Sequence, residues 1–253
     1  MAKIHKKKSA LKRSTGRAVL GCVLDGALMA ALAAGIVWHF DRLRDWLRNN
    51  AELWGVPARI LLPVAAVLLL ALLIVRMRRN ARSAAIRRAG VRGEDMALKQ
   101  LQKALPGNYH LFSNVVVDYD GGRSETDLIV VGPGGVTVVE VKNYSGEVQG
   151  RAESARLTHV KNSGSESIYN PLRQVATHVH RVSGYLRQNH QGVWVRSAVF
   201  FVNPKLRVNI SGRSETPWFT PERLDELAMM LRAGHPQLSA RQVEGIVEAL
   251  KRA

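Results

Sequence analysis

The sequence predicts an α/β domain, a mixed sheet flanked by helices, preceded by a two-helix transmembrane hairpin. Three features carry that prediction. Runs rich in Val, Ile and Thr, broken by Gly, Pro and Asp, recur between 111 and 144 and again at 193–202, as strands do. Apolar stripes at helical spacing flank them at 96–105 and 172–186. Two long apolar stretches, 18–40 and 56–75, are each enclosed by Lys and Arg, the pattern of membrane-spanning helices. The chain divides into 1–92, a basic N-terminus with membrane anchor and basic linker; 93–215, the α/β domain; and 216–253, helices that pack upon it.

The net charge of +17 is unevenly placed. Residues 1–92 hold 18 Lys+Arg against 4 Asp+Glu, whereas 93–253 hold 19 against 16. The total alone would suggest a nucleic-acid binder, but the excess belongs to the N-terminal third. A single cysteine, Cys22, excludes an internal disulfide framework and a Cys-based zinc cluster.

Residues 1–17 carry seven basic residues and no acid. Positions 18–40 follow, apolar apart from Asp25 and the near-terminal His39, and long enough to cross a hydrocarbon core of about 30 Å. Asp25 weakens this span, since a carboxylate at the centre of a membrane helix costs about 3 kcal/mol. The segment 41–59 is polar, with Trp38, Trp46 and Trp54 at interfacial positions. Residues 60–75, ILLPVAAVLLLALLIV, form the core of the second span. A signal peptide is disfavoured because this second apolar segment follows so closely. Seven basic residues precede the first span and seven follow the second, against four in the loop. The positive-inside rule then makes the chain a two-pass protein of the inner membrane, with both termini and the α/β domain cytoplasmic. A soluble helical hairpin whose basic flanks bind nucleic acid or anionic lipid is the alternative.

Gly93-Glu94 opens a helix with Met96, Ala97, Leu98, Leu101 and Leu105 as its apolar positions, stopped by Pro106-Gly107. Residues 111–119 alternate as a strand, and 118–122, DYDGG, turn the chain into 126–144, TDLIVVGPGGVTVVEVKNY. Two β-branched runs around Gly132-Pro133-Gly134-Gly135 read as a β-hairpin. Either loop length sets Val131 opposite Val136, so that opposed positions sum to 267 and Asp127 faces Glu140. Alternation places Lys142 on the same face. Ile129, Val131, Val136 and Val138 continue that face; Leu128, Val130, Val139 and Val141 form the other, and both read as buried.

Beyond the hairpin, 146–150 reads as a short strand and the Ser/Gly-rich 151–169 as a loop or weak hairpin. Asn170-Pro171 starts a helix whose stripe, Leu172, Val175, Val179, Val182 and Leu186, packs on the sheet. Gln174 and His178 lie one turn apart on one face. His178 reads as an amphipathic surface residue, and with His180 and His190 it lacks the carboxylate spacing of a zinc site. Residues 193–202 form a further strand, and Thr220-Pro221 and Ser239 start the last two helices.

The chemistry converges at the open end of the hairpin. Opposed carboxylates in a buried sheet destabilise it unless one is protonated or a cation neutralises the pair. A hard divalent ion with oxygen ligands, Mg²⁺ or Mn²⁺, does so. Lys142 beside it could orient a water, or stabilise the charge that develops as that water attacks a phosphodiester. The alternative is a plain salt bridge of Lys142 with Glu140 or Glu125.

Asp127 followed by Glu140-Val141-Lys142 resembles the PD-(D/E)xK arrangement of restriction-endonuclease-like nucleases. More narrowly, the ordered set Gly93-Glu94, Asn114-Val115, Thr126-Asp127-Leu128-Ile129-Val130, Gly135-Val136, Glu140-Val141-Lys142, Asn143-Tyr144, Gly146, Asn170-Pro171 and Gln174 resembles the NERD (nuclease-related domain) family. The resemblance spans roughly 92–205. It implies a restriction-endonuclease-like core and a metal-dependent nuclease using Mg²⁺ (or Mn²⁺) on nucleic acid, DNA ahead of RNA. Asp127, Glu140 and the Val141 carbonyl would hold the metal, Lys142 would position or activate the water, and Glu94 and Gln174 would support. Glu94 has a second reading as a first-turn carboxylate favoured by the helix dipole. A rival function keeps the fold without the reaction: a catalytically silent, membrane-tethered nucleic-acid-binding or scaffold module.

Overall fold

The structure, a computed structural model, describes residues 1–7, 10–49, 51–234 and 237–253; side chains at 10–15, 17, 18, 51–63, 66 and several positions of 32–47 lie outside the described residues. The chain forms two compact units, one of residues 11–88 and one joining 1–10 to 89–253.

The first unit is made of helix α1 (Ala10–Asn49) and the N-terminal part of helix α2 (Ala51–Ala104), so the described residues of the predicted polar loop over 41–59 are helical. Asp25 of α1 is buried and meets two groups of α2, the Nε of Arg76 at 3.1 Å and the Nδ2 of Asn80 at 3.0 Å. Within the predicted first span, Asp25 thus has charged and hydrogen-bonding partners from the basic segment that follows the predicted second span. Among the described residues no helix is long and apolar enough to cross a membrane. The transmembrane hairpin over 18–40 and 56–75, the lipid bilayer as a partner and the inner-membrane localisation are corrected accordingly. Side chains at 56–63 and 66, and several between 32 and 40, lie outside the described residues.

The second unit holds strands β1 (Lys3–Lys6), β2 (His110–Tyr119), β3 (Gly122–Gly132), β4 (Gly135–Lys142), β5 (Gly146–Arg151), β6 (Arg156–Lys161) and β7 (Gly164–Tyr169). Helix α3 (Pro171–Gln188), strands β8 (Val195–Phe201), β9 (Leu206–Ser211) and β10 (Trp218–Phe219), and helices α4 (Leu224–Arg232) and α5 (Ala240–Arg252) complete it. Among the described residues the main sheet has the order β1-β2-β3-β4-β8-β10, and a second sheet the order β7-β6-β5-β9. Strands β2, β3 and β4 are antiparallel neighbours, while β1, β8 and β10 join parallel.

The hairpin register agrees with the sequence: Val131 pairs with Val136, and each pair down to Leu128 with Val139 sums to 267. Its turn is packed as well as tight. A Cβ on Gly134 would lie 2.2 Å from the Leu231 carbonyl, and one on Gly132 would lie 2.3 Å from the Tyr109 ring. The Tyr109 hydroxyl in turn accepts from the Gly134 N–H at 3.2 Å.

The two faces also divide as predicted. Ile129, Val131, Val136 and Val138 share a core with Val175 and Val182 of α3 and Ile246 of α5. Leu128, Val130, Val139 and Val141 pack with Ala97, Leu98 and Leu101 of α2 and Leu227 and Leu231 of α4.

Three local differences have physical causes. No helix begins at Gly93, because α2 runs through it; the glycine is there for close approach, since a Cβ would lie 2.6 Å from the Asn143 Cβ. The polar 151–169 segment forms β6 and β7, which gain partners from β5 and, beyond it, from the distant β9. The basic N-terminus contributes β1, docked by stacking of His5 on Phe112 and a 3.0 Å contact between the His5 and His110 rings.

Candidate active site

Strands β3 and β4 part at Asp127. Their ladder ends at the Leu128–Val139 pair, while Glu140 to Lys142 continue to pair with β8. The Val141 N–H donates instead to the Asp127 carboxylate, 2.9 Å from Oδ2. On the other side of β3 the ladder skips the opposed pair Asn114 and Asp127, between Ser113–Leu128 and Val115–Thr126. Asn114 has a left-handed φ of 58°, and the alternation of β2 flips there: Phe112 lies in the α3-side core, and so do Val115 and Val117. Ser124, directly opposite Val117, is thereby turned toward α3.

Helix α3 supplies the roof of the site. Asn170 fixes its start, accepting from the Leu172 N–H at 3.0 Å and donating to the carbonyls of Ala152 and Ser154 at 2.9 and 2.7 Å. One turn in, the Gln174 Oε1 accepts from the Lys142 Nζ at 3.1 Å, and the same ammonium donates to the Glu140 Oε1 at 2.6 Å. The next turn brings His178, whose Nε2 lies 3.4 Å from the Glu140 Oε2 and whose Nδ1 lies 2.6 Å from the Ser124 Oγ. The structure therefore gathers Asp127, Glu140, Lys142 and Gln174, and adds Ser124 and His178. Glu94 is half-buried on α2, in a turn held against the end of β4 by the Asn143 Nδ2, which donates to the Ala89 carbonyl at 2.7 Å.

Residues 89–202 match the NERD family, described as nuclease-related domain. The match covers 114 of the 253 residues, just under half of the chain. The family belongs to the restriction-endonuclease-like PD-(D/E)xK superfamily. Among curated proteins, the chain is 31% identical over 128 residues to an uncharacterized protein of Bacillus anthracis, covering 50% of this chain and 59% of the relative. It is 30% identical over 158 residues to the probable kinase PglW of Streptomyces coelicolor, covering 60% of this chain and 10% of that protein. The chain thus spans less than two thirds of either relative. No solved structure matches it.

The electrostatics of the site follow from burial. Glu140 is only 1% exposed, and its Oε2 has no hydrogen-bond partner among the described residues. Burial, reinforced by the neighbouring Glu140 charge, pushes the Asp127 carboxyl up to about 7. Burial opposes the Lys142 charge, but Glu140 and the other nearby groups outweigh it and hold the ammonium above its usual range. Burial also pushes the His178 imidazole down, favouring its neutral form.

These donors fit a hard cation: an orphaned buried carboxylate oxygen beside a second carboxyl whose ionisation burial and like charge oppose. Among the described residues no group of three or more His, Cys, Asp or Glu is arranged to hold a metal. An ion at Asp127 and Glu140 would therefore complete its shell with backbone carbonyls and water, as Mg²⁺ commonly does.

The raised Asp127 value makes a signed prediction. A carboxyl whose folded pKa exceeds its unfolded 3.8 binds more protons folded than unfolded, so it subtracts stability as pH rises from about 4 to about 7. In the absence of divalent metal, the melting temperature of wild type relative to Asp127→Asn is expected to fall across that window. Parallel melting curves for the two proteins from pH 4 to 8 would show the inference about Asp127 to be wrong.

Proposed function

We propose that this domain hydrolyses phosphodiester bonds of nucleic acid with a divalent ion, Mg²⁺ or Mn²⁺, held by Asp127 and Glu140. The observation that supports it most is the buried, unpartnered Glu140 Oε2 next to a carboxyl lifted to about 7, a pair that a cation would discharge. The Val141 carbonyl is a third ligand in this proposal, with Glu94 in support. When bound, the ion supplies Lewis-acid activation of the phosphate and a more acidic water.

The chain's own residues supply orientation and charge. Lys142, held protonated, acts as a hydrogen-bond donor: it holds the attacking water and offsets charge growing on the phosphoryl oxygens. Gln174 fixes the ammonium by accepting one of its three hydrogen bonds; with Glu140 accepting a second, one N–H is left for the site. Glu140 binds the same ammonium, so one carboxylate links the metal position to the water-handling group.

A second reading is favoured by a specific observation. The Lys142 ammonium already neutralises Glu140 at 2.6 Å, so the site keeps much of its charge balance without metal, as a nucleic-acid-binding or scaffold module without turnover would. The full chain, incubated with supercoiled plasmid and with single- and double-stranded DNA and RNA oligonucleotides, is expected to cleave with Mg²⁺ or Mn²⁺ and to stop when EDTA is added. Retention of labelled nucleic acid without cleavage would leave the second reading, and neither binding nor cleavage would remove both.

A further inference from the structure

We propose that Ser124 and His178 form a positioning pair that holds the free oxygen of Glu140 in place. For its functional consequence this rests on the metal reading above, but the geometry is independent of it. His178 is the side chain facing the Glu140 Oε2, at 3.4 Å, and its ring is pinned from behind by the Ser124 hydroxyl at 2.6 Å. Both polar partners are enclosed, with Ser124 at 4% exposure and the His178 side chain at 14%.

The chemistry of the groups selects one tautomer. An ionised carboxylate oxygen accepts and cannot donate, so the ring nitrogen that faces it must carry hydrogen. A neutral imidazole has one N–H. With that hydrogen on Nε2, the Nδ1 lone pair accepts from the Ser124 hydroxyl. The opposite tautomer would aim the Nε2 lone pair at a buried carboxylate oxygen 3.4 Å away, one acceptor against another. Ser124 can act only because the alternation flips at Asn114, which brings a β3 hydroxyl to the α3 side of the sheet. Lys142 donates to one oxygen of Glu140 at 2.6 Å and the His178 ring edge stands 3.4 Å from the other, so the carboxylate is bounded on both edges.

Groups that orient a metal-binding carboxylate in this way typically account for about 10–100-fold in metal affinity. Three measurements on the full chain test the pair. Long-range ¹H–¹⁵N correlation spectra of protein labelled at histidine should show His178 as the Nε2–H tautomer, with no metal added. Calorimetric titration with Mn²⁺ should find His178→Asn weakened by about 10–100-fold, because the shorter amide reaches only the Nδ1 position. His178→Gln, whose amide N–H reaches the Nε2 position, should restore most of the affinity.

An Nδ1–H tautomer overturns the proposal. So does a His178→Asn protein that binds Mn²⁺ as wild type does, or a Gln variant no better than the Asn variant. A wild type that binds no Mn²⁺ removes the proposed function, and the tautomer, which needs neither metal nor variant, then decides the positioning pair by itself.

Discussion

Asp127→Ala and Glu140→Ala are expected to lose divalent-metal binding and nucleic-acid cleavage together, whereas Lys142→Ala should keep the metal and lose only the reaction. The three residues share one charge system, so their removal fails in different directions. Each carboxylate is a ligand in the proposed site, and a hard ion has few other protein oxygens there to replace one. Lys142 is a rival to the metal, since its ammonium lies 2.6 Å from the Glu140 Oε1. Removing that positive charge should leave Mn²⁺ affinity unchanged or tighter. Cleavage should nevertheless fall by about 10²–10³-fold, the scale for deleting one preorganised donor at a developing charge. Asp127→Ala also removes the acceptor of the Val141 N–H, so Asp127→Asn belongs beside it as the variant that retains an acceptor oxygen. Calorimetric titration of Mn²⁺ into each protein, paired with a cleavage assay on the best substrate, reads the pattern. A Lys142→Ala protein as active as wild type, or an Asp127→Asn protein that binds metal undiminished, would defeat this assignment of roles.

The largest effect on stability is expected at Arg196, far from the chemistry. Its guanidinium, half-buried, donates to the carbonyls of Met230 at 2.7 Å, Leu231 at 3.1 Å and Gly134 at 2.8 Å, and also to that of Ala233. Three of these carbonyls belong to the last turn of α4 and its cap, where helix geometry leaves acceptors without partners; the fourth is in the turn of the central hairpin. One side chain therefore closes the end of a helix, answers its negative dipole end and ties it to the β3–β4 turn. Arg196→Ala leaves several partly buried carbonyls unsatisfied at once, and we expect a loss of about 3–5 kcal/mol, since hydrogen bonds to charged groups contribute about 1.5–3 kcal/mol each and are not additive. Chemical denaturation of wild type, Arg196→Ala and Arg196→Lys checks this. Lysine keeps the charge without the planar fork, so it should recover only a minor part of the loss; a full recovery would mean that charge alone, and not the four-carbonyl geometry, stabilises the turn.

The sequence carried the central hairpin well, because its information is local. Turn residues at 132–135 and β-branched runs on either side determine register, and register alone brings Asp127 and Glu140 toward each other with Lys142 on the same face. The stripe of α3 determined which face packs on the sheet, while the place of Gln174 beside the site was implied only by the family resemblance. His178 was within reach of the same logic, lying one turn from Gln174, but an imidazole on a helix face is equally compatible with solvent. What selects the site is Glu140 opposite it, a contact between residues 38 apart that spacing does not encode.

The apolar stretches of the N-terminal third show the reverse. Their composition matches a pair of spans, yet no described helix meets the requirement, and Asp25, which the sequence showed only as an isolated blemish, has Arg76 and Asn80 as partners from the second helix. The sequence left 151–169 open between a loop and a weak hairpin and gave no sign of β1 for a related reason: these strands are short and polar or basic, and they are held because β2 in one case, and β5 backed by the distant β9 in the other, offers backbone partners.

By itself, then, the sequence determined the α/β character of 93–253, the hairpin register, the two buried faces and the convergence of Asp127, Glu140 and Lys142, all consequences of backbone period and turn chemistry; Gln174 joined them through the family resemblance. Only the tertiary structure decided that the main ladder opens on both sides of Asp127, that the alternation reverses at Asn114, and that Ser124 and His178 therefore stand behind Glu140. The reason is that a left-handed residue in one strand changes which way its neighbours point across the sheet, and no count of alternating residues contains that dihedral angle.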